Sequence, residues 1–208
     1  MQRLFRSVYT ALIPVLITVS AAQAGPKPKP AVVSFTFDDG KPSVFANAFP
    51  VLASRDYPAT MYVITGELGA VDWHITVEQA RVLQRHRWEI GSHSVTHPNL
   101  AKIQPMEVLQ ELERTRDRLK ALGFPNASFA SPFGEVNPTV LQLIRQTYRS
   151  HRYAWGNAVT GGLNPARGFD PYDIHALEVT RETTLPTVNA ALDRAVRERK
   201  WLVLLFHH

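Results

Sequence analysis

Two adjacent carboxylates, Asp38 and Asp39, stand directly after an apolar run and before Gly40, and two imidazoles, His93 and His97, are four residues apart in Ser92-His93-Ser94-Val95-Thr96-His97. Neighbouring carboxylates repel, so both stay ionised near neutral pH only beside a cation or strong hydrogen-bond donors. Two histidines and one carboxylate form a common zinc-ligand set that leaves a coordination position for water. Ser131-Pro132-Phe133-Gly134 is a third such place. Its proline and glycine permit an unusual turn in which the Phe133 N–H points into a cleft, where an oxyanion would need it. His207 and His208 follow the apolar run 201–206, and a histidine at the end of such a run has a pKa that its surroundings tune for proton transfer. Taken singly, each motif also reads as a plain turn, a pair of polar loop histidines or a frayed end.

The elements that must hold these residues alternate. The β-branched and aromatic run 31–37 predicts a buried strand ending at the Asp-Asp-Gly turn, and 42–53 a helix with Pro42 in its first turn. Strand patterns follow at 59–65, 88–92 and 127–132, with weaker ones at 153–156 and 175–180, and a strongly apolar one at 201–206. Helix patterns lie between them at 76–86, 104–122, 138–148 and 185–199; Thr76 is the expected N-cap of the first, and Gly123 closes the second. Strand and helix alternating without a long break predict a single α/β domain with a mostly parallel sheet. In such folds the loops after the strands carry the chemistry, and all four motifs fall there.

Residues 1–24 read as a secretory signal peptide: Arg3 and Arg6 open it, an uncharged run spans 11–19, and Ala22-Gln23-Ala24 precedes Gly25. A retained anchor is the alternative, but a spanning helix needs about 20 apolar residues and this run is shorter. The expectation is an exported protein, periplasmic or extracellular, with no stable membrane insertion after cleavage. Residues 25–30, Gly-Pro-Lys-Pro-Lys-Pro, read as an extended linker, and 31–208 as the catalytic domain. Without the first 24 residues the chain loses two arginines and no acid, so it is only mildly basic. Its acids and bases are interleaved, as in Glu111, Glu113, Arg114, Arg116, Asp117, Arg118 and Lys120, which reads as a solvated helix face. No basic stripe of the kind a nucleic-acid binder needs is present. The sequence has no cysteine, which excludes disulfides, thiolate nucleophiles and cysteine metal sites, so a metal would be held by His, Asp or Glu.

With Thr36-Phe37-Asp38-Asp39-Gly40 and Ser92-His93-Ser94-Val95-Thr96-His97 in hand, the sequence resembles the polysaccharide deacetylases, the family-four carbohydrate esterases, from about Val32 to His207. The resemblance implies a distorted (β/α)7-type barrel holding one divalent metal, usually zinc. It further implies Asp39, His93 and His97 as ligands, Asp38 as general base and His207 as general acid. Pro132 and Phe133 would bind substrate, Phe133 through its backbone N–H, and Leu205 would line the pocket for the acetyl methyl. The implied reaction is removal of N-acetyl groups from an N-acetylglucosamine-containing polysaccharide of the chitin, poly-N-acetylglucosamine or peptidoglycan type. An O-acetyl esterase acting on a polysaccharide such as xylan, and a non-catalytic carbohydrate binder that retains the fold, are the rival readings.

Two positions depart from the pattern. Many members carry an arginine two residues before the proline of the third motif, paired with the base; a subset resembles this sequence in having alanine, here Ala130. The fourth motif, usually Asp-Trp, has no clear counterpart, and Trp155, Asp170 and Asp173 are the candidates. Tyr153, Trp155 and Tyr172 are aromatic residues that would either stack on sugar rings or be buried. Because no helix follows the strand that ends in His207, the sequence is expected to be incomplete at its C-terminus or completed by something else.

Overall fold

The computed structural model describes residues 30–70, 72–125, 127–154 and 161–207. The signal peptide read at 1–24, nearly all of the linker, Trp155 and His208 lie outside the described residues.

Among the described residues, eight strands form one sheet in the order β5-β4-β3-β2-β1-β8-β6, with β7 also paired to β8. They are β1 (Val32–Phe37), β2 (Thr60–Val63), β3 (Glu89–Ser92), β4 (Ser128–Ala130), β5 (Ser150–Arg152), β6 (Leu163–Pro165), β7 (Leu177–Glu178) and β8 (Lys200–Phe206). All pairings are parallel except β6 with β8. The segment after Asp170 joins the two ends of the curl. A parallel bridge pairs Ile174 with Arg152 of β5, and three residues later Leu177 enters the ladder with β8. Single-bridge contact at that seam distorts the barrel, in agreement with the expected architecture.

Among the described residues, five α-helices cover the outside: α1 (Phe49–Ala53), α2 (Val77–Arg85), α3 (Pro105–Ala121), α4 (Pro138–Thr147) and α5 (Leu185–Glu198). Among these helices none is long and apolar enough to cross a membrane. Thr76 caps α2 as expected, its side chain accepting from Gln79 N while the Gln79 side chain accepts from Thr76 N. Such a cap contributes about 1 kcal/mol, whereas a fully buried aliphatic side chain contributes about 1.5–3 kcal/mol. Packing therefore sets where the helices lie. Val108 and Leu112 of α3 join Val140 and Ile144 of α4 around Phe129, while α2 places Ala80 and Leu83 among Phe37, Met61, Val63 and Ile90.

Strand alternation sends one set of side chains to the helices and the other into the barrel. Along β8, Leu202 and Leu204 pack with Ala195 of α5, whereas Val203 and Leu205 join Ile174, Ala176 and Ala154. The register continues that division to the strand ends: Thr36 pairs with Leu205, and Thr36 Oγ1 donates to the Leu204 carbonyl. Burial on both faces is why β8 reads as an unbroken apolar run rather than an alternating one.

One strand falls elsewhere than expected. The pattern at 153–156 predicts a strand, but β5 is Ser150–Arg152, three residues earlier. Arg149 N already bonds to the Ala127 carbonyl, which puts the chain in the ladder before any apolar residue arrives. β5 is polar because its buried residues make polar contacts on opposite faces of the sheet: Arg152 points into the barrel to Asp38, while His151 lies on the helix side against Phe129.

Candidate metal and catalytic site

Asp38 and Asp39 leave the end of β1 in different directions because Asp39 and Gly40 both adopt left-handed backbone, with φ of 66° and 71°. Asp38 N donates to the Phe206 carbonyl, so its side chain continues the inward face of the strand and is buried. Asp39 turns toward the loop after β3. There its Oδ1 lies 3.6 Å from His93 Nε2 and 3.5 Å from His97 Nε2, and the two Nε2 atoms are 3.2 Å apart. Ligand atoms of Asp39, His93 and His97 all lie within 4.8 Å of one another.

The donor set fits a divalent metal. His93 Nδ1 is 2.7 Å from the Ala130 carbonyl, so Nδ1 carries the proton and Nε2 presents its lone pair. Burial, with the charge of His93 adding, pushes the His97 imidazole down to about 4, so it too offers a lone pair at neutral pH. Two imidazole lone pairs facing each other beside a carboxylate repel unless a cation lies between them.

A glutamate that the charge pattern assigns to a solvated helix face holds this loop instead. Glu111 of α3 accepts from Val95 N (2.7 Å) and Thr96 N (3.0 Å) on one oxygen and from Thr96 Oγ1 (2.8 Å) on the other. Ser94 adds a bond from His97 N to its Oγ, closing the turn between the two histidines.

Asp38 receives both its oxygens' bonds from Arg152 Nη2, each at 2.5 Å, in a pair whose side chains are both buried. Burial raises the Asp38 carboxyl, but the Arg152 guanidinium, with His93 and His207 adding, outweighs it and holds the carboxyl below its usual value. His207 directly follows Phe206, whose carbonyl accepts from Asp38 N, so the imidazole and the carboxyl leave neighbouring strand ends. His207 Nδ1 lies 3.3 Å from Glu178 Oε1 of β7. It also lines a cavity of 410 Å³ with Glu178, Thr180, Arg181 and Glu182.

The third motif forms a turn beside the triad. Phe133 has φ 58° and is half exposed, with its ring edge-on to His97 at 4.8 Å; Pro132 is buried. Leu205 is fully buried one inward position below His207, within the interior apolar cluster. The candidates for the fourth motif are engaged elsewhere: Asp170 pairs with Arg145 at 2.5 Å and Asp173 with His175 at 3.1 Å. The carboxylate beside His207 is Glu178, which no sequence motif marked. Of the aromatics, Tyr153 stacks on His175, and Tyr172 donates to the Tyr148 carbonyl beneath Arg145.

This arrangement agrees with the comparisons. The family model for polysaccharide deacetylase matches residues 25–149, and the chain belongs to that family. The poly-beta-1,6-N-acetyl-D-glucosamine N-deacetylase of Staphylococcus aureus is 27% identical over 128 residues, 55% of this chain and 44% of that protein. A bifunctional xylanase/xylan deacetylase of Cellvibrio japonicus is 31% identical over 111 residues, 53% of this chain and 16% of that protein. Each match thus spans less than half of the relative's length. Among solved structures, the Streptococcus pyogenes deacetylase PplD, in complex with acetate, superposes with a TM-score of 0.66 at 25% identity, covering 77% of this chain and 70% of that one.

Proposed function

We propose that the chain is an exported, metal-dependent hydrolase that removes N-acetyl groups from an N-acetylglucosamine-containing polysaccharide. The observation that carries this reading is the gathering of the Asp39, His93 and His97 ligand atoms within 4.8 Å of one another, with the buried carboxylate of Asp38 3.9 Å from His93 Nε2. An amide carbonyl is a poor electrophile and neutral water a poor nucleophile, so both need activation. Asp39, His93 and His97 would hold the metal, usually zinc, which supplies a Lewis acid and a bound water with a pKa near 7.

The protein's own residues do the rest. Asp38, bound to Arg152 rather than to the triad, accepts the proton of the attacking water. His207, oriented by Glu178, returns a proton to the departing amine. The turn at Pro132 and Phe133 offers a backbone N–H for the developing oxyanion, and one such donor is worth on the order of 3 kcal/mol. Leu205 forms the apolar floor beneath His207 for the acetyl methyl. The 410 Å³ cavity beside His207 is large enough for a sugar unit with its polar groups facing Glu178, Thr180 and Arg181. The signal-like residues 1–24 support delivery to the periplasm or the exterior, where such polymers lie.

The test is acetate release from a panel of acetylated glycans, with chelator treatment and zinc add-back. Polymers of N-acetylglucosamine should release acetate, and the chelator should stop it. Asp38→Asn should lower the rate by about 10² to 10⁴-fold with metal still bound. Release from acetylated xylan alone would move the assignment to an O-acetyl esterase, which the similarity to the Cellvibrio xylan deacetylase keeps in view. Glycan binding without any release would make the chain a binding protein.

A further inference from the structure

The parallel strands all start at one end of the barrel and the helices between them finish there, so the end opposite the triad collects the segments that lead into the strands. Bases gather on it. Arg85, Lys120 and Arg197 stand in the last turns of α2, α3 and α5. Arg149 immediately precedes β5 and Arg199 precedes β8, while Arg167 follows the antiparallel β6, whose Pro165 pairs with Lys200 at the start of β8. All six are exposed and carry no ion pair among the described residues. The acids at that end are already engaged: Asp56 pairs with Arg87 at 2.6 Å, Glu198 with Arg194 at 2.8 Å, and Glu89 accepts from Ser128 Oγ. The mouth has the opposite sign, with Glu67, Asp72, Glu135 and Glu182 on the loops around Asp39 against Lys41, Lys102 and Arg181. Helix dipoles explain part of this polarity, because each helix C-terminus carries about −0.5 charge and attracts bases. Five helices bring at most about −2.5 to that end, too little to offset the six bases. Apolar rings are exposed among them: Tyr57, in the loop before β2, is 49% exposed, and Phe169, packed on Trp201, is 38% exposed.

We propose that this end of the barrel is a docking face for an anionic phospholipid surface, on which the protein sits with its mouth turned away from the lipid. The bases attract the headgroups, and Tyr57 and Phe169 enter the headgroup region, a mixture suited to lying on a membrane rather than crossing it. One base close to an anionic bilayer raises binding roughly fivefold, so three in contact give on the order of 10²-fold. The exposed rings favour lipid over a soluble polyanion, which would reward the charges alone. The acidic mouth, repelled by the same surface, is left facing the side from which a polymer approaches. The chain also enters β1 at the basic end, after the run that holds Lys27 and Lys29. Because the six bases are spread through the sequence from 85 to 199, no basic run announces them, and only the barrel brings them to one end.

The experiment is co-sedimentation of the full chain with vesicles of phosphatidylcholine alone and of equimolar phosphatidylcholine and phosphatidylglycerol, so that the neutral vesicles measure what the apolar run at 11–19 contributes. The anionic vesicles should bind the protein about tenfold more tightly or better. Salt at about 1 M, where the Debye length is about 3 Å, should abolish the difference. Arg85→Gln/Arg149→Gln/Arg197→Gln should lower binding to the anionic vesicles about 10²-fold. Arg81→Gln/Lys102→Gln/Arg114→Gln removes the same charge from the helix flanks and the mouth side, and should lower it by about threefold or less. Circular dichroism checks that both variants fold, and Arg149→Gln and Arg167→Gln as single changes, about fivefold each, serve if the first triple variant does not. Equal binding to the two kinds of vesicle, or equal losses in the two triple variants, would overturn the proposal. So would capture of the protein by a soluble anionic polysaccharide at low salt with no capture by vesicles. None of these readouts depends on acetate release, so the docking face and the assigned activity stand or fall separately.

Discussion

His93 Nδ1 and the carbonyl oxygen of Ala130 are 2.7 Å apart, which ties the metal triad to the strand beside it. The bond fixes the protonated nitrogen on the β4 side and leaves Nε2 for Asp39 and His97. His93→Ala should therefore lose both metal and acetate release, as read by zinc content after gel filtration. Stoichiometric zinc in that variant would take His93 out of the ligand set.

Glu111 acts on the same loop from a distance. With Glu111→Ala, Val95 N and Thr96 N lose their acceptor, and His97 is no longer held against His93. Zinc affinity should fall by about 10 to 100-fold, the effect of losing a group that orients metal ligands, while the circular dichroism spectrum stays the same. Competition with a chromophoric chelator measures it. Unchanged affinity would mean that the loop holds its own shape.

Glu178 Oε1 lies 3.3 Å from His207 Nδ1, so Glu178→Gln removes the carboxylate charge that holds the ring and its protonated nitrogen. We expect kcat to fall by about tenfold or more with KM little changed, and His207→Ala to fall further, within about 10² to 10⁴-fold. Steady-state kinetics on one acetylated oligosaccharide separates the two. An equal rise in KM would make Glu178 a substrate contact instead.

His151 predicts how stability follows pH. Its Nδ1 donates to the Tyr172 carbonyl, and Ser131 Oγ donates to its Nε2, so the neutral ring is buried and fully bonded. Burial, aided by Arg152, pushes the imidazole from 6.5 down to about 4. Between those values the unfolded chain binds a proton that the folded chain refuses, so stability falls as pH drops from about 6.5 to about 4. The loss reaches about 3 kcal/mol by the bottom of that window. His151→Gln should flatten the slope of denaturation midpoint against pH, leaving the part that His97 contributes. An unchanged slope would place the titration elsewhere.

Legibility in the sequence followed the physics of each element. Thr76, Pro105 and Gly123 mark helix ends because capping chemistry is local, and β8 is plain because burial on both faces writes an unbroken apolar run. The triad could be read because motif spacing is local as well. Arg152, Glu178 and Glu111 could not, for a common reason: each acts across a ladder or a helix–loop gap on a residue distant in sequence. A short polar strand such as Ser150-His151-Arg152 has no apolar period to reveal it. Asp170 and Asp173 stand out as acids near an expected motif, yet they pair with Arg145 and His175.

Of the seven described non-glycine residues with positive φ, Asp39, Ser94, His97 and Phe133 belong to the loops around the triad. Conformations of this kind cost about 1–3 kcal/mol each and persist only while the surroundings enforce them. Warming should let these loops relax as a local unit before the barrel melts. Activity would then vanish at a temperature where the helical signal is still intact, and bound zinc, by holding the loops together, would narrow the gap between inactivation and unfolding.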